Sequence, residues 1–145
     1  MLIALMGDSC TGKSTVAKLI AKKNGAVIFS GKDYLRMAKS ESEAASIFKA
    51  KLSQAVTKEN VIYIITEKEQ LAFLPEGGIR VFVTAGLDTV KKRFAARMNG
   101  NLPAPVAAML EKKYNKFETE AFDLKINTDE VSAEEAAEAI CKFTK

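Results

Sequence analysis

A length of 145 residues, 48% of them apolar, with a mean hydropathy near zero, suits one compact domain with a real core and argues against disorder. The net charge of +4 is modest, and the lysine pairs (Lys22–Lys23, Lys91–Lys92, Lys112–Lys113) fall on different predicted helices without interleaved aromatics, which speaks against a nucleic-acid binder. Histidine is absent, which excludes a histidine base and His-containing zinc sites; no apolar run reaches a membrane span, Gly7 and Asp8 cut the first one too short for a signal peptide, and the two cysteines, Cys10 and Cys141, fit reduced thiols in a cytoplasmic protein.

In chain order, apolar strand-like runs alternate with amphipathic helical stretches. Leu2–Met6 reads as the first strand. A helix then opens near Lys13 and ends at Asn24–Gly25, where glycine suits the cap. Ala26–Phe29 is the second strand. Ser40 with Glu43 has the pattern of a capping box and opens a helix to about Lys58, with Ala44, Ile47, Phe48, Leu52 and Ala55 along one face. Val61–Ile65 is the third strand, followed by a second such box, Thr66 with Glu69, and a short helix that Pro75 stops. After the fourth strand, Ile79–Val83, Leu87, Val90, Phe94 and Met98 share a helix face that ends in the breaker run 99–103. Val106, Met109, Leu110, Tyr114 and Phe117 define the next helix. Phe122–Ile126 is the last strand, and Ser132 with Glu135 caps a final helix whose Ala136, Ile140 and Phe143 face inward. This alternation predicts an α/β fold over 1–145: three layers, α/β/α, around a five-stranded parallel sheet, for which the order 2-3-1-4-5 is expected.

The sharpest signal is Gly7-Asp8-Ser9-Cys10-Thr11-Gly12-Lys13-Ser14, which fits G-x-x-x-x-G-K-[ST]. Glycines let successive N–H groups point into one concavity that binds anionic oxygens, and the following helix adds the positive end of its dipole. Lys13 is placed to reach the β- and γ-phosphates of ATP, and the Ser14 hydroxyl to ligate Mg²⁺. The loop directly follows an apolar strand and directly precedes an amphipathic helix, which is the context a chance glycine turn lacks. Gly7 to Thr15 are therefore the expected ATP-binding residues. Cys10 reads as a small filler of a variable loop position rather than a nucleophile.

Ligands in a doubly wound sheet sit beyond the carboxyl ends of the strands, so Ser30–Arg36 falls beside this loop. Arg36 is a candidate grip for an anionic acceptor, and Asp33, three residues before it, for orienting or deprotonating the acceptor oxygen; an ordinary ion pair between the two is the competing reading. Basic residues here are overwhelmingly lysine, the arginines being Arg36, Arg80, Arg93 and Arg97. Arg93 and Arg97 share a helix face and suit the charge of a transferring phosphoryl group, or else form a solvated basic face. Glu67, after the third strand, is the candidate carboxylate for Mg²⁺, and equally a residue that favours the helix dipole after Thr66.

Taken together, these segments resemble the nucleoside monophosphate kinases, most closely their cytidylate-kinase-like branch, over nearly the whole chain. Ile3 to Ala21 is similar to that family's first strand, phosphate loop and helix. Phe29–Arg36 is similar to its monophosphate-binding segment, and Val81–Ala85 with Arg93–Arg97 to its fourth strand and lid-helix arginines. Phe122–Thr128 with Ser132–Glu135 is similar to its last strand and helix. The resemblance implies a phosphotransferase that moves the γ-phosphoryl group of ATP, with Mg²⁺, to a nucleoside monophosphate. It further implies an acceptor segment at 30–58, a short lid at 91–104, catalytic roles for Lys13, Asp33, Arg93 and Arg97, and Asn127 and its neighbours packed on the adenine. Two departures, a short stretch between Arg36 and the third strand and Thr66-Glu67-Lys68-Glu69 in place of a glycine-and-arginine segment, leave room for another small acceptor. An ATP-binding sensor without transfer is the alternative, and a monomer and a homodimer fit equally. A GTP-hydrolysing switch is disfavoured, because the D-x-x-G and N-K-x-D segments are missing.

Overall fold

Buried parallel strands have no solvent face, so both residue parities along them must be apolar. In the computed structural model, which describes residues 1–144, the two parities of β1 (Leu2–Met6) and β3 (Val61–Ile65) feed two separate cores. Leu2, Ala4, Met6, Val61, Tyr63 and Ile65 point to one layer, which α2 (Glu41–Ala55) closes with Ala44, Phe48, Leu52 and Ala55. Ile3, Leu5, Ile62 and Ile64 point to the other, where they meet Val16, Ala17 and Ile20 of α1 (Lys13–Asn24) and Ala136, Ala137 and Ile140 of α5 (Ala133–Phe143). With β2 (Val27–Ser30), β4 (Ile79–Thr84) and β5 (Leu124–Asn127), the strands form one parallel sheet in the order β2-β3-β1-β4-β5. The expected fold and strand order are those observed. Among the described residues no helix is long and apolar enough to cross a membrane.

Phe48 is the pivot of the first layer. It is fully buried, stacks on Tyr34 at 5.6 Å and makes edge contacts with Phe29, Tyr63 and Phe73 at 5.5, 4.9 and 5.4 Å. The Phe48→Ala variant is expected to lose about 3–5 kcal/mol in denaturant unfolding, the cost of deleting a buried aromatic whose site cannot collapse around it.

Several element ends differ from the sequence expectation. β2 and β5 start later than expected. Asp123 precedes β5 as a side-chain staple: its Oδ2 accepts from Arg80 N while its own N donates to Arg80 O, both at 2.8 Å, and Phe122 stays exposed against Phe82. The helix after β3 is a 3-10 turn, Lys68–Phe73, capped by Glu67 and not Thr66. Buried Gln70 there turns its Oε1 back to accept from Thr66 N and Glu67 N. Ser40 does cap α2, accepting from Glu43 N at 3.2 Å, but α2 ends at Ala55 rather than Lys58, and Ile47 lies one position off its buried stripe and is exposed. Ser132 and Glu135 form both bonds of the expected box, whereas Phe143, beyond Ile140, is exposed rather than inward. Met98 and Met109 are exposed as well.

On the β4 side, α3 (Leu87–Arg97) and α4 (Ala104–Lys113) flank the breaker run, in which Asn99 and Gly100 take positive φ. Lys91 of α3 pairs with Glu111 of α4. Val90 and Leu110 join Cys10 and Ala85 in a small third cluster that ties this helix pair to the glycine loop. α4 stops at Lys113 because Tyr114 is extended and Asn115 has a φ of 59°; Phe117, expected on the helix, is buried just beyond it in the first core.

Candidate functional site

β1 ends at Met6 in the middle of the sheet, and the chain must then curl to enter α1. Gly7 holds the start of the curl, donating to Ile65 O at 3.1 Å. Thr11 Oγ1 donates back to Asp8 O at 2.9 Å. Gly12, with a φ of 99°, caps α1 without any side-chain bond to the first turn. The free N–H groups of that turn, and the exposed Ser14 and Thr15 hydroxyls, face outward from a helix with no acidic residue in its first turn. Cys10 also has a positive φ, 65°, a conformation that strains a residue with a β-carbon.

Lys13 is folded into the loop. It is 5% exposed, and its ammonium donates to Gly7 O at 2.7 Å and Asp8 O at 2.5 Å. Burial lowers its pKa from an ordinary 10.5 to about 8, although the Asp8 carboxylate pulls it upward. Lys13 therefore keeps its charge at neutral pH, loses it as pH rises through about 8, and would hold it more firmly beside an anionic ligand.

Arg93 reaches the loop from α3. Its Nη1 donates to Cys10 O at 3.1 Å and Thr128 Oγ1 at 3.0 Å, and Thr128 Oγ1 in turn donates to Thr11 O at 2.8 Å. Thr128, which the sequence analysis did not single out as a site residue, thus joins the end of β5 to the loop. A threonine just after a strand carries no pattern that would have marked it. Arg97 is exposed one turn on and lines, with Arg93, Cys10, Gly12, Thr15 and Thr128, a cavity of about 430 Å³ beside the N-terminus of α1. Asn127 is not among the residues that line it. Its Oδ1 accepts from Asp129 N at 2.9 Å and closes a local turn, while its neighbour Thr128 and the segment 131–133 line the cavity. Asp129 accepts from Gly86 N at 2.7 Å at the start of α3, and its pKa is held low chiefly by the Thr89 hydroxyl and then by that amide.

A second, smaller cavity of about 70 Å³ opens on the other side of the loop, between Asp8, Ser9, Glu67, Tyr114 and Lys116, with Val90, Phe94 and Leu110 as apolar wall. Glu67 pairs there with Lys116 at 3.2 Å. Asp33 lies in a 3-10 turn, Asp33–Met37, beyond β2, and its Oδ2 accepts from Ser30 N at 2.9 Å and Ser30 Oγ at 3.3 Å. Arg36 is exposed on the same turn, and no ion pair joins it to Asp33 among the described residues. The structure thus gathers Lys13, Arg93, Arg97 and Glu67 around the glycine loop and leaves Asp33 engaged with its own turn.

No family model matches the chain, and no curated protein matches it in sequence. Solved structures do match. The YorR protein of Bacillus subtilis, in complex with phosphorylated GDP, is 22% identical with a TM-score of 0.69 over 99% of this chain and 95% of that one. A shikimate kinase from Acinetobacter baumannii, in complex with shikimate, is 16% identical with a TM-score of 0.68 over 99% and 92%. An unliganded sugar kinase from Janibacter sp. is 16% identical with a TM-score of 0.67 over 97% and 92%. At these identities the likeness establishes the fold alone, over 97–99% of the chain.

Proposed function

We propose that the chain is an ATP-dependent phosphotransferase acting on a small molecule. The observation that carries this reading is the curled loop from Gly7 to Ser14, with the Lys13 ammonium folded into it and Arg93 braced over its rim. Backbone amides from Asp8 to Thr15 bind the phosphates, the cavity beside Thr128 takes the nucleoside, and Lys13, Arg93 and Arg97 balance the charge of the transferring group. Kinase neighbours with shikimate or sugar in their names support small-molecule transfer in general. The Ser14 hydroxyl and, through water, the Glu67 carboxylate are the groups that suit Mg²⁺ at the phosphates. When bound, the ion would neutralise phosphate charge and hold the γ-phosphoryl group for in-line attack.

The acceptor belongs on the other side of the loop. On the resemblance to cytidylate kinases it would be a nucleoside monophosphate with its phosphate on Arg36 and its attacking oxygen near Asp33; a hydroxyl metabolite is the other class. The segment 91–104 between α3 and α4 would act as the lid that excludes water. One observation favours the second reading, an ATP-binding sensor without transfer: Glu67 is already neutralised by Lys116.

The test is to mix the protein with Mg·ATP and a panel of nucleoside monophosphates and small hydroxyl metabolites, and to follow ADP, with Lys13→Ala as control. Kinase activity predicts ADP that depends on one acceptor and vanishes in the control. Thermal stabilisation by ATP with no transfer across the panel would favour the sensor, and no effect of ATP at all would end both readings.

A further inference from the structure

Asp8 occupies the second position of the glycine loop, and its side chain is almost wholly enclosed, with the residue 8% exposed. Its Oδ2 accepts from Asn115 N at 2.6 Å. Its Oδ1 is buried and has no hydrogen-bond partner. A bare carboxylate oxygen removed from water is costly, and in folded proteins such atoms are nearly always paired. Asp8 is one of the residues that line the small cavity with Ser9, Glu67, Tyr114 and Lys116, and that cavity shares no lining residue with the one beside Thr128. Asp33 offers no comparable oxygen, because its carboxylate already accepts twice from Ser30 on an exposed turn.

We propose that Asp8 Oδ1 is the proton acceptor for a phosphoryl acceptor that reacts through a hydroxyl group. The inference rests on the kinase reading above and adds to it the reacting group of the substrate and the residue that meets it. An alcohol O–H supplies the donor that Oδ1 lacks. As the alcohol oxygen forms its bond to the γ-phosphorus, the bond from that phosphorus to the β,γ-bridging oxygen breaks and its electron pair leaves with ADP. The hydroxyl proton passes to Asp8 Oδ1 and from there to solvent, so that alcohol and ATP become phosphate ester, ADP and one proton. A carboxylate in this position suits an alcohol and opposes a phosphate nucleophile. A monophosphate acceptor is already largely deprotonated at neutral pH, has little need of a base, and would meet Asp8 as a like charge. The Lys13 ammonium, which donates to the Asp8 main-chain oxygen, and Lys116, which lines the same cavity, place positive charge near the carboxylate. The Asn115 amide fixes the direction in which Oδ1 points.

The experiment compares the wild-type protein with Asp8→Asn, which keeps an oxygen for Asn115 N while removing the base. Probes are glycerol, D-glucose, D-gluconate and shikimate as hydroxyl acceptors and CMP as the phosphate acceptor, with a fluorescent ATP analogue to read nucleotide affinity. The expected result is transfer by the wild type to a hydroxyl probe and none to CMP. In Asp8→Asn, kcat for that probe should fall by about 100-fold or more, the usual scale for losing a positioned base, a larger loss than any change in nucleotide affinity. Transfer to CMP in preference to every hydroxyl probe overturns the inference and leaves the kinase reading standing, and this arm needs no variant to fold. An Asp8→Asn protein that transfers to a hydroxyl probe at the wild-type rate also overturns it, Oδ1 then being satisfied by water alone. Binding of the nucleotide analogue without transfer to any probe removes the inference together with the kinase reading.

Discussion

Gly7→Ala is expected to cost at least about 3 kcal/mol of stability, the upper part of the range for forcing extra volume into a packed site, and to lower nucleotide affinity by more than about 100-fold, or about 2.7 kcal/mol. A β-carbon at Gly7 would lie 2.0 Å from Val83 O and 3.3 Å from Thr11 Oγ1. The first of these is backbone near the end of β4, where Val83 pairs with Ile126 of β5, so it cannot yield without disturbing that ladder. The loop would have to move instead, and with it the amides that bind phosphate. Gly12 behaves differently. A β-carbon there finds nothing nearer than Thr128 Cγ2 at 3.5 Å, and the obstacle is its φ of 99° alone. Gly12→Ala should therefore cost only about 1–3 kcal/mol of backbone strain, and urea unfolding of the two variants side by side separates the two causes.

The second large effect concerns Lys13 and pH. Because burial brings Lys13 down to about 8, the free protein loses the charge as pH rises through that value, while a bound triphosphate would hold the proton on. Affinity for Mg·ATP should thus be level below pH 8 and fall by up to about tenfold per pH unit above it, the limit set by one linked proton. Stability of the free protein runs the opposite way. The native lysine releases its proton near pH 8 and the unfolded one near 10.5, so between those values the unfolded chain binds more protons and the folded state gains. At about 1.4 kcal/mol per pH unit, the contribution of this group is about 3 kcal/mol. Lys13→Met should bind ATP at least about 100-fold more weakly, about 2.7 kcal/mol, and show neither pH dependence. Calorimetric titrations and unfolding curves at pH 7, 8, 9 and 10 measure both arms.

The fold was legible where residues act through pattern. The continuous apolar runs of β1 and β3 announced strands buried on both faces, and Gly7-x4-Gly12-Lys13-Ser14 announced the loop together with its place between a strand and a helix. Element ends were less legible where one side chain redirects the backbone. Asp123 binds Arg80 across the strand gap, and Gln70 Oε1 gathers the amides that Thr66 was expected to organise. Ile47 sits one position off the buried stripe of α2 and Phe143 lies beyond Ile140, and both are exposed although their spacing suited an inward face. In the site, Lys13 and Arg93 could be anticipated from residue type and spacing. Thr128 and the bare oxygen of Asp8 could not, because both depend on contacts between segments more than 80 residues apart, Thr128 with Thr11 and Asp8 with Asn115. Asp33 drew attention by its proximity to Arg36 in sequence, yet its carboxylate holds the turn at Ser30.

The claim beneath all of this is that main-chain amides between Asp8 and Thr15 seat a triphosphate. Backbone ¹⁵N–¹H spectra recorded during titration with Mg·ATP test it residue by residue. The account predicts that the largest shifts fall on Cys10 to Thr15, with Arg93 Nε–H and Thr128 N–H moving along the same binding curve. Shifts confined to other surfaces, or a spectrum that Mg·ATP at millimolar concentration leaves unchanged, would contradict it.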